Sequence, residues 1–196
     1  MTVTGVVNSI MSSMTYVLSE EGYDYVWLVD CGDTEKIQET IGHNRVKGIL
    51  LTHAHYDHIY GIPRLLELFP DCIVYSNNNG IEALKSSKKN LSLYNEDPIV
   101  VKGFKAHNIK EGDFFSIFSD VAARVIETPG HCNSCICYTI DDCLFTGDSY
   151  IPGIPVVTNL PEGNINKAVE SSARIEMLLG DYKIYPGHNC SANNEQ

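Results

Sequence analysis

The stretch THAHYDH, Thr52 to His58, follows the apolar run VKGILL and holds four potential metal ligands, His53, His55, Asp57 and His58, within six positions. VKGILLT reads as a short buried strand, so these ligands stand where a strand gives out. His53 and His55 lie two apart and can point the same way on an extended or loop backbone, whereas Asp57 and His58 open the following turn and can point elsewhere. That arrangement suits two adjacent metal ions better than one. Imidazole and carboxylate donors favour zinc, and iron, manganese or cobalt would accept the same set. Helix capping or core hydrogen bonding by histidine does not account for three His and one Asp gathered at a strand end.

Three further segments share this context, a strand running into a Gly-containing turn that carries a ligand-type residue. They are TPGH with His131, FTGD with Asp148 and YPGH with His188. Strand ends of this kind would set their side chains along one edge of a sheet, where ligands from distant parts of a chain can converge. Around them, MTYVLSE and YVWLVD read as a hairpin, followed by a helix around Thr34 to Ile41 and another from about Asp57 to Phe69. Next come strand CIVYS, a short helix near Asn79 to Lys85, and SSKKNLSLYNEDP, which has the composition of an exposed loop dividing the chain in two. Strands FKAHNI, DFFSIF, AARVIETP, SCICYTI and CLFTGD then precede a helix from about Asn164 to Leu179 and a closing strand, KIYP.

A chain of 196 residues with 43% apolar content can bury one core, so residues 1–196 are expected to form a single domain. The net charge of −11 and the lack of a Lys/Arg-rich stripe disfavour nucleic acid and anionic membrane as partners, and the partner expected is a small-molecule substrate. The N-terminus lacks the pattern of a secretory leader, and no apolar stretch reaches membrane-spanning length, so a soluble cytoplasmic protein is expected. Seven cysteines, an odd number, suit a reducing compartment and free, mostly buried thiols. In CNSCIC, Cys135 and Cys137 read as small apolar residues filling one face of a strand, with Cys132, beside His131, as the exception. His43 and His107 lack motif context and are expected to be surface or structural residues.

Taken in order, LVDCGD with Asp30, THAHYDH, ETPGHCNS, LFTGDS and IYPGHN resemble the metallo-β-lactamase superfamily pattern of Asp, HxHxDH, His, Asp and His, over nearly the whole chain. The resemblance implies an α/β (α+β) fold, a four-layer αββα sandwich of two mixed β-sheets with helices outside. It further implies a first metal ion on His53, His55 and His131, a second on Asp57, His58 and His188, Asp148 bridging the two, and Asp30 as a supporting residue. Two zinc ions are expected, with iron or manganese as alternatives. Asp148 in place of a Cys ligand and His55 in place of Glu separate the chain from thiolate-using zinc lactamases and diiron flavoprotein reductases, leaving a centre similar to the glyoxalase II branch. GDSYIPGIPVVTNLPEGN holds no Lys or Arg and eight residues follow His188, so the expectation is such a centre without the glutathione-binding C-terminal domain. The implied activity is hydrolysis of a thioester, lactone or related ester by hydroxide held between the metals, with Asp57 as the catalytic residue that orients it and receives its proton. Tyr150 is a candidate donor to a developing oxyanion or a pocket wall. A mononuclear-iron sulfur dioxygenase, a β-lactam- or phosphodiester-hydrolysing relative, and a metal-binding protein without turnover are the alternatives.

Overall fold

Strands β1 (Thr2–Val7), β2 (Met14–Ser19), β3 (Tyr25–Val29), β4 (Arg45–Leu50), β5 (Ile73–Ser76) and β6 (Lys105–Asn108) pair in that order into one sheet in the computed structural model, which describes residues 1–189. β1, β2 and β3 are antiparallel neighbours, and β3 to β6 run parallel. A second sheet has the order β11 (Lys183–Pro186), β10 (Cys143–Gly147), β9 (Ile136–Ile140), β8 (Ala122–Glu127), β7 (Phe114–Ser116). There β10 and β11 are parallel and the other pairs antiparallel, so β8, β10 and β11 all run the same way.

Successive side chains of a strand face opposite ways, and the strands use both faces. From β2 and β3, Tyr16, Leu18, Trp27 and Val29 meet Val125, Tyr138, Ile140 and Phe145 of the second sheet in the core between the sheets. Val17, Val26 and Leu28 face outward, where α1 (Thr34–Ile41) and α3 (Ile62–Leu68) cover them through Ile37, Ile41, Ile62 and Leu65. On the far side, α5 (Ile165–Glu176) covers Cys137 and Leu144 through Ile175. The result is the expected αββα sandwich, with one apolar core between the sheets and one beneath the helices on each side. Among the described residues no helix is long and apolar enough to cross a membrane.

Three expectations change. The single helix from Asp57 to Phe69 is two, α2 (Tyr56–Ile59) and α3, because the chain at Gly61 passes too close to Gly32 for a continuous helix face. Gly61 N donates to Cys31 O at 3.0 Å, and a Cβ there would stand 1.9 Å from Gly32 O. β1 was not anticipated; its side chains are mostly exposed, so it carries little apolar alternation. The polar segment after α4 (Asn78–Leu84) is not simply exposed. Asn90 and Ser92 are fully buried, tied to Ile99 and to each other by Asn90 Nδ2→Ile99 O, Ile99 N→Ser92 Oγ and Ser92 N→Asn90 Oδ1.

Candidate metal centre

Asp30 and the segment Thr52 to His58 follow the C-terminal ends of β3 and β4, while His131, Asp148 and His188 follow those of β8, β10 and β11. Because these strands run parallel within each sheet, all five segments reach the same edge of the sandwich. Backbone bonds fasten the edges together there: Ile136 N to Thr52 O at 2.7 Å, Gly187 N to Gly147 O at 2.9 Å and Met14 N to Gly187 O at 2.8 Å. Glycine is required at two of the junctions. Gly147 has φ +50°, and a Cβ on Gly187 would stand 2.2 Å from Asp148 Oδ1.

The seven residues singled out by sequence come together. His53, His55 and His131 present ring nitrogens within 4.8 Å of one another, as do donor atoms of Asp57, His58 and His188, and of His53, His58 and Asp148. Asp148 lies between the first two trios, with Oδ2 3.6 Å from His131 Nε2 and 3.3 Å from His188 Nε2, and Oδ1 3.4 Å from His58 Nε2. Asp57 Oδ2 is 3.3 Å from the Nε2 atoms of both His58 and His188.

The outward nitrogen of four of these rings has a partner that sets the tautomer. A backbone carbonyl only accepts, so His131 Nδ1, 2.7 Å from Val157 O, and His188 Nδ1, 2.9 Å from Met11 O, carry the protons. His58 Nδ1 donates to Asp30 Oδ2 at 2.9 Å. Thr52 Oγ1 gives its hydrogen to Asp30 Oδ2 at 2.7 Å and so accepts from His53 Nδ1 at 3.2 Å. In each case Nε2 is left to face the cluster. His55 contributes Nδ1 instead, 2.8 Å from His131 Nε2, from the residue that precedes α2.

Burial pushes His53 well below the ordinary imidazole range and His55 down to about 4, with the surrounding histidines adding to the effect, so both are neutral at neutral pH. Burial would lower His58 too, but Asp57 and Asp148 overcome it and raise His58 well above its usual value. Asp148 shows the reciprocal effect: burial opposes its ionisation, and His58 and His188 hold its carboxyl well below the ordinary range. The two carboxylates thus demand positive charge at this spot. His53 Nε2, His58 Nε2 and Asp148 Oδ1 are buried without a hydrogen bond. His58 Nε2 and Asp148 Oδ1 face each other at 3.4 Å without forming one, and divalent cations between the trios would satisfy all three atoms. Donor chemistry, spacing and orphaned atoms all fit a pair of metal ions.

Asp30 is no ligand: it is 2% exposed and accepts from Thr52 N, Thr52 Oγ1 and His58 Nδ1. Thr52, not singled out by sequence, links Asp30 to His53; a hydroxyl directly before an HxHxDH run was the available signal. A cleft of about 330 Å³ opens over the cluster, walled by Met11, Tyr56, Leu91, Asn95, Val157 and Leu160. Tyr150 is not part of that wall, since its ring packs with Ile175 and Leu144 under α5. His43 and His107 are exposed and lie outside the cluster, as expected.

A layered αββα sandwich with two adjoining His/Asp trios at one sheet edge defines a class of metal-binding folds. The chain belongs to the metallo-beta-lactamase superfamily, whose sequence profile matches residues 11–188. It is 29% identical over 194 residues to a hydroxyacylglutathione hydrolase of Hydrogenovibrio crunogenus, covering 95% of this chain and 62% of the relative. It is also 29% identical over 192 residues to the enzyme of the same name from Francisella philomiragia, covering 96% and 67%. The chain therefore spans roughly two thirds or less of the length of these curated relatives. Among solved structures, the BLEG-1 B3 metallo-beta-lactamase superposes with a TM-score of 0.83 at 21% identity, covering 96% of this chain and 92% of the other. ETHE1 from Myxococcus xanthus superposes with a TM-score of 0.74 at 22% identity, covering 98% and 78%. At these identities the structural likeness establishes the fold.

Proposed function

We propose that the chain is a metal-dependent hydrolase of a small-molecule thioester, lactone or related ester, with two divalent ions, zinc first, held by His53, His55 and His131 and by Asp57, His58 and His188, and with Asp148 between them. The observation that carries the proposal is the convergence of His53, His58 and Asp148, whose donor atoms lie within 4.8 Å of one another and include three buried atoms without a hydrogen bond, beside an open cleft that Asp148 lines. Bound there, the ions would supply hydroxide at neutral pH and polarise a carbonyl. Asp57, which lines the cleft, would orient the attacking water and take its proton. Burial opposes ionisation of its carboxyl, but His58 holds it below the ordinary range, so it is ionised at neutral pH. The outward hydrogen bonds that His58, His53, His131 and His188 donate to Asp30, Thr52, Val157 and Met11 fix the orientation of four imidazoles before substrate binds.

Thioesters come first within the substrate class because the curated relatives are named hydroxyacylglutathione hydrolases. The test is a panel of thioesters, lactones and esters, run with the protein as purified and after chelation. Hydrolysis of at least one member, abolished by chelation and by Asp57→Ala, is expected. Activity that survives both treatments, or none on the whole panel with metal bound, would overturn the proposal. Oxygen uptake on a persulfide substrate by a one-iron protein would instead select the dioxygenase alternative.

A further inference from the structure

Cys132 and Cys135 are not used by this chemistry, yet their sulfurs stand 3.2 Å apart, inside ordinary sulfur–sulfur contact. The sequence placed Cys135 beside Cys137 on a strand face. The structure instead begins β9 at Ile136 and turns Cys135 back towards Cys132. Cys137 meets hydroxyl and carbonyl oxygens of Thr128 and Thr146, and Cys143 meets Asp142. Among the described residues, only Cys132 and Cys135 form a recorded sulfur–sulfur contact.

The turn that pairs them is firmly held. Thr128 N donates to Cys135 O at 3.0 Å, Ile136 N to Thr52 O at 2.7 Å and Gly130 N to Cys132 O at 3.3 Å. Ser134 Oγ accepts from Ala54 N at 3.3 Å and lies 3.1 Å from Cys132 Sγ. The two thiols are therefore held side by side before any reaction, the arrangement that gives an intramolecular step a high effective concentration. A disulfide bond is about 2.05 Å long, so the sulfurs need to approach by only about 1.2 Å.

We propose that Cys132 and Cys135 form a two-electron redox site, converted by a hydroperoxide to an intramolecular disulfide within the folded protein, next to the ligand His131. Cys132 sulfur attacks the O–O bond of hydrogen peroxide, giving a sulfenic acid and one water. Cys135 sulfur then displaces the sulfenic oxygen, which leaves as a second water when the S–S bond forms. Two thiols and one peroxide give one disulfide and two waters, the thiols being oxidised and the peroxide reduced. The site does not depend on the hydrolase reading.

The experiment treats the purified, metal-loaded protein with hydrogen peroxide, alkylates the remaining thiols and maps peptides by mass spectrometry, with a urea-unfolded sample in parallel. The expected result is a Cys132–Cys135 cross-linked peptide, lighter by two hydrogens, that forms faster than any other thiol is oxidised and is reversed by dithiothreitol. In the unfolded sample that preference should vanish, because proximity produces it. No cross-link in the folded protein, whether the thiols stay free or Cys132 goes on to sulfinic acid, would overturn the proposal. So would a cross-link that forms equally fast in urea.

Discussion

Replacing Asp30 by Asn keeps the volume at the end of β3 and alters only the pattern of donors and acceptors. Asn also tolerates the φ of +58° found there. Asp30 Oδ1 accepts from Thr52 N at 2.7 Å, while Oδ2 accepts from Thr52 Oγ1 at 2.7 Å and His58 Nδ1 at 2.9 Å. An Asn that keeps its carbonyl oxygen on Thr52 N turns its NH2 towards two groups that both donate. The Thr52 hydroxyl can rotate to accept, but its hydrogen then points at His53 Nδ1. To avoid paired donors, His58 and His53 must each move a proton from Nδ1 to Nε2, the atom that faces the cluster. Loss of a hydrogen bond to a charged group is worth about 1.5–3 kcal/mol, and outer partners of ligating histidines change metal affinity by about 10–100-fold. The expected outcome is a fall of that size in affinity for the ion on the His58 trio, together with a lower Tm by about 4–8 °C if ~2 kcal/mol of stability is lost. Competition against a chromophoric chelator, paired with thermal melts, measures both. Unchanged affinity for both ions would refute the argument that Asp30 sets the ligand tautomers.

Gly187→Ala places a methyl 2.2 Å from Asp148 Oδ1 and should cost about 1–3 kcal/mol together with metal content, whereas Gly180→Ala meets nothing within 4 Å and should change neither. Asp33 is held down to about 2: burial opposes its ionisation, but hydrogen bonds from Lys36, Ser9 and Tyr60 prevail. Its stabilisation is therefore present above its ordinary value of 3.8 and is lost as pH falls through about 2. Asp33→Asn should cost about 1–2 kcal/mol in urea melts at pH 7, and the difference from the parent should shrink towards zero near pH 2. Tyr150→Phe should leave kcat/KM unchanged on any substrate found, since the ring packs under α5 and does not wall the cleft; a large loss in kcat would restore it to the site.

The clustering of His53, His55, Asp57, His58, His131, Asp148 and His188 was legible because they are polar residues at the ends of apolar strands, where the core gives them no purpose. The four-layer sandwich was implied by the family resemblance that the same motifs carry. What escaped the sequence depends on contacts between distant segments. The break at Gly61 arises from the Gly32 carbonyl, and the internal bonding of Asn90, Ser92 and Ile99 hides polar side chains inside a segment of loop composition. Cys135 looks like a strand residue by alternation, yet the bond from Ile136 N to Thr52 O starts β9 one residue later. Leu91 and Asn95 reach the cleft wall only because that loop folds back over the edge.

Two adjoining trios with Asp148 between them call for a pair of ions, and metal stoichiometry tests this most directly. Inductively coupled plasma mass spectrometry on protein equilibrated with zinc and freed of excess should find two ions per chain, falling to one or fewer in His58→Ala and in Asp148→Ala. A parent protein that holds one ion or none under these conditions, or variants that keep both, would contradict it.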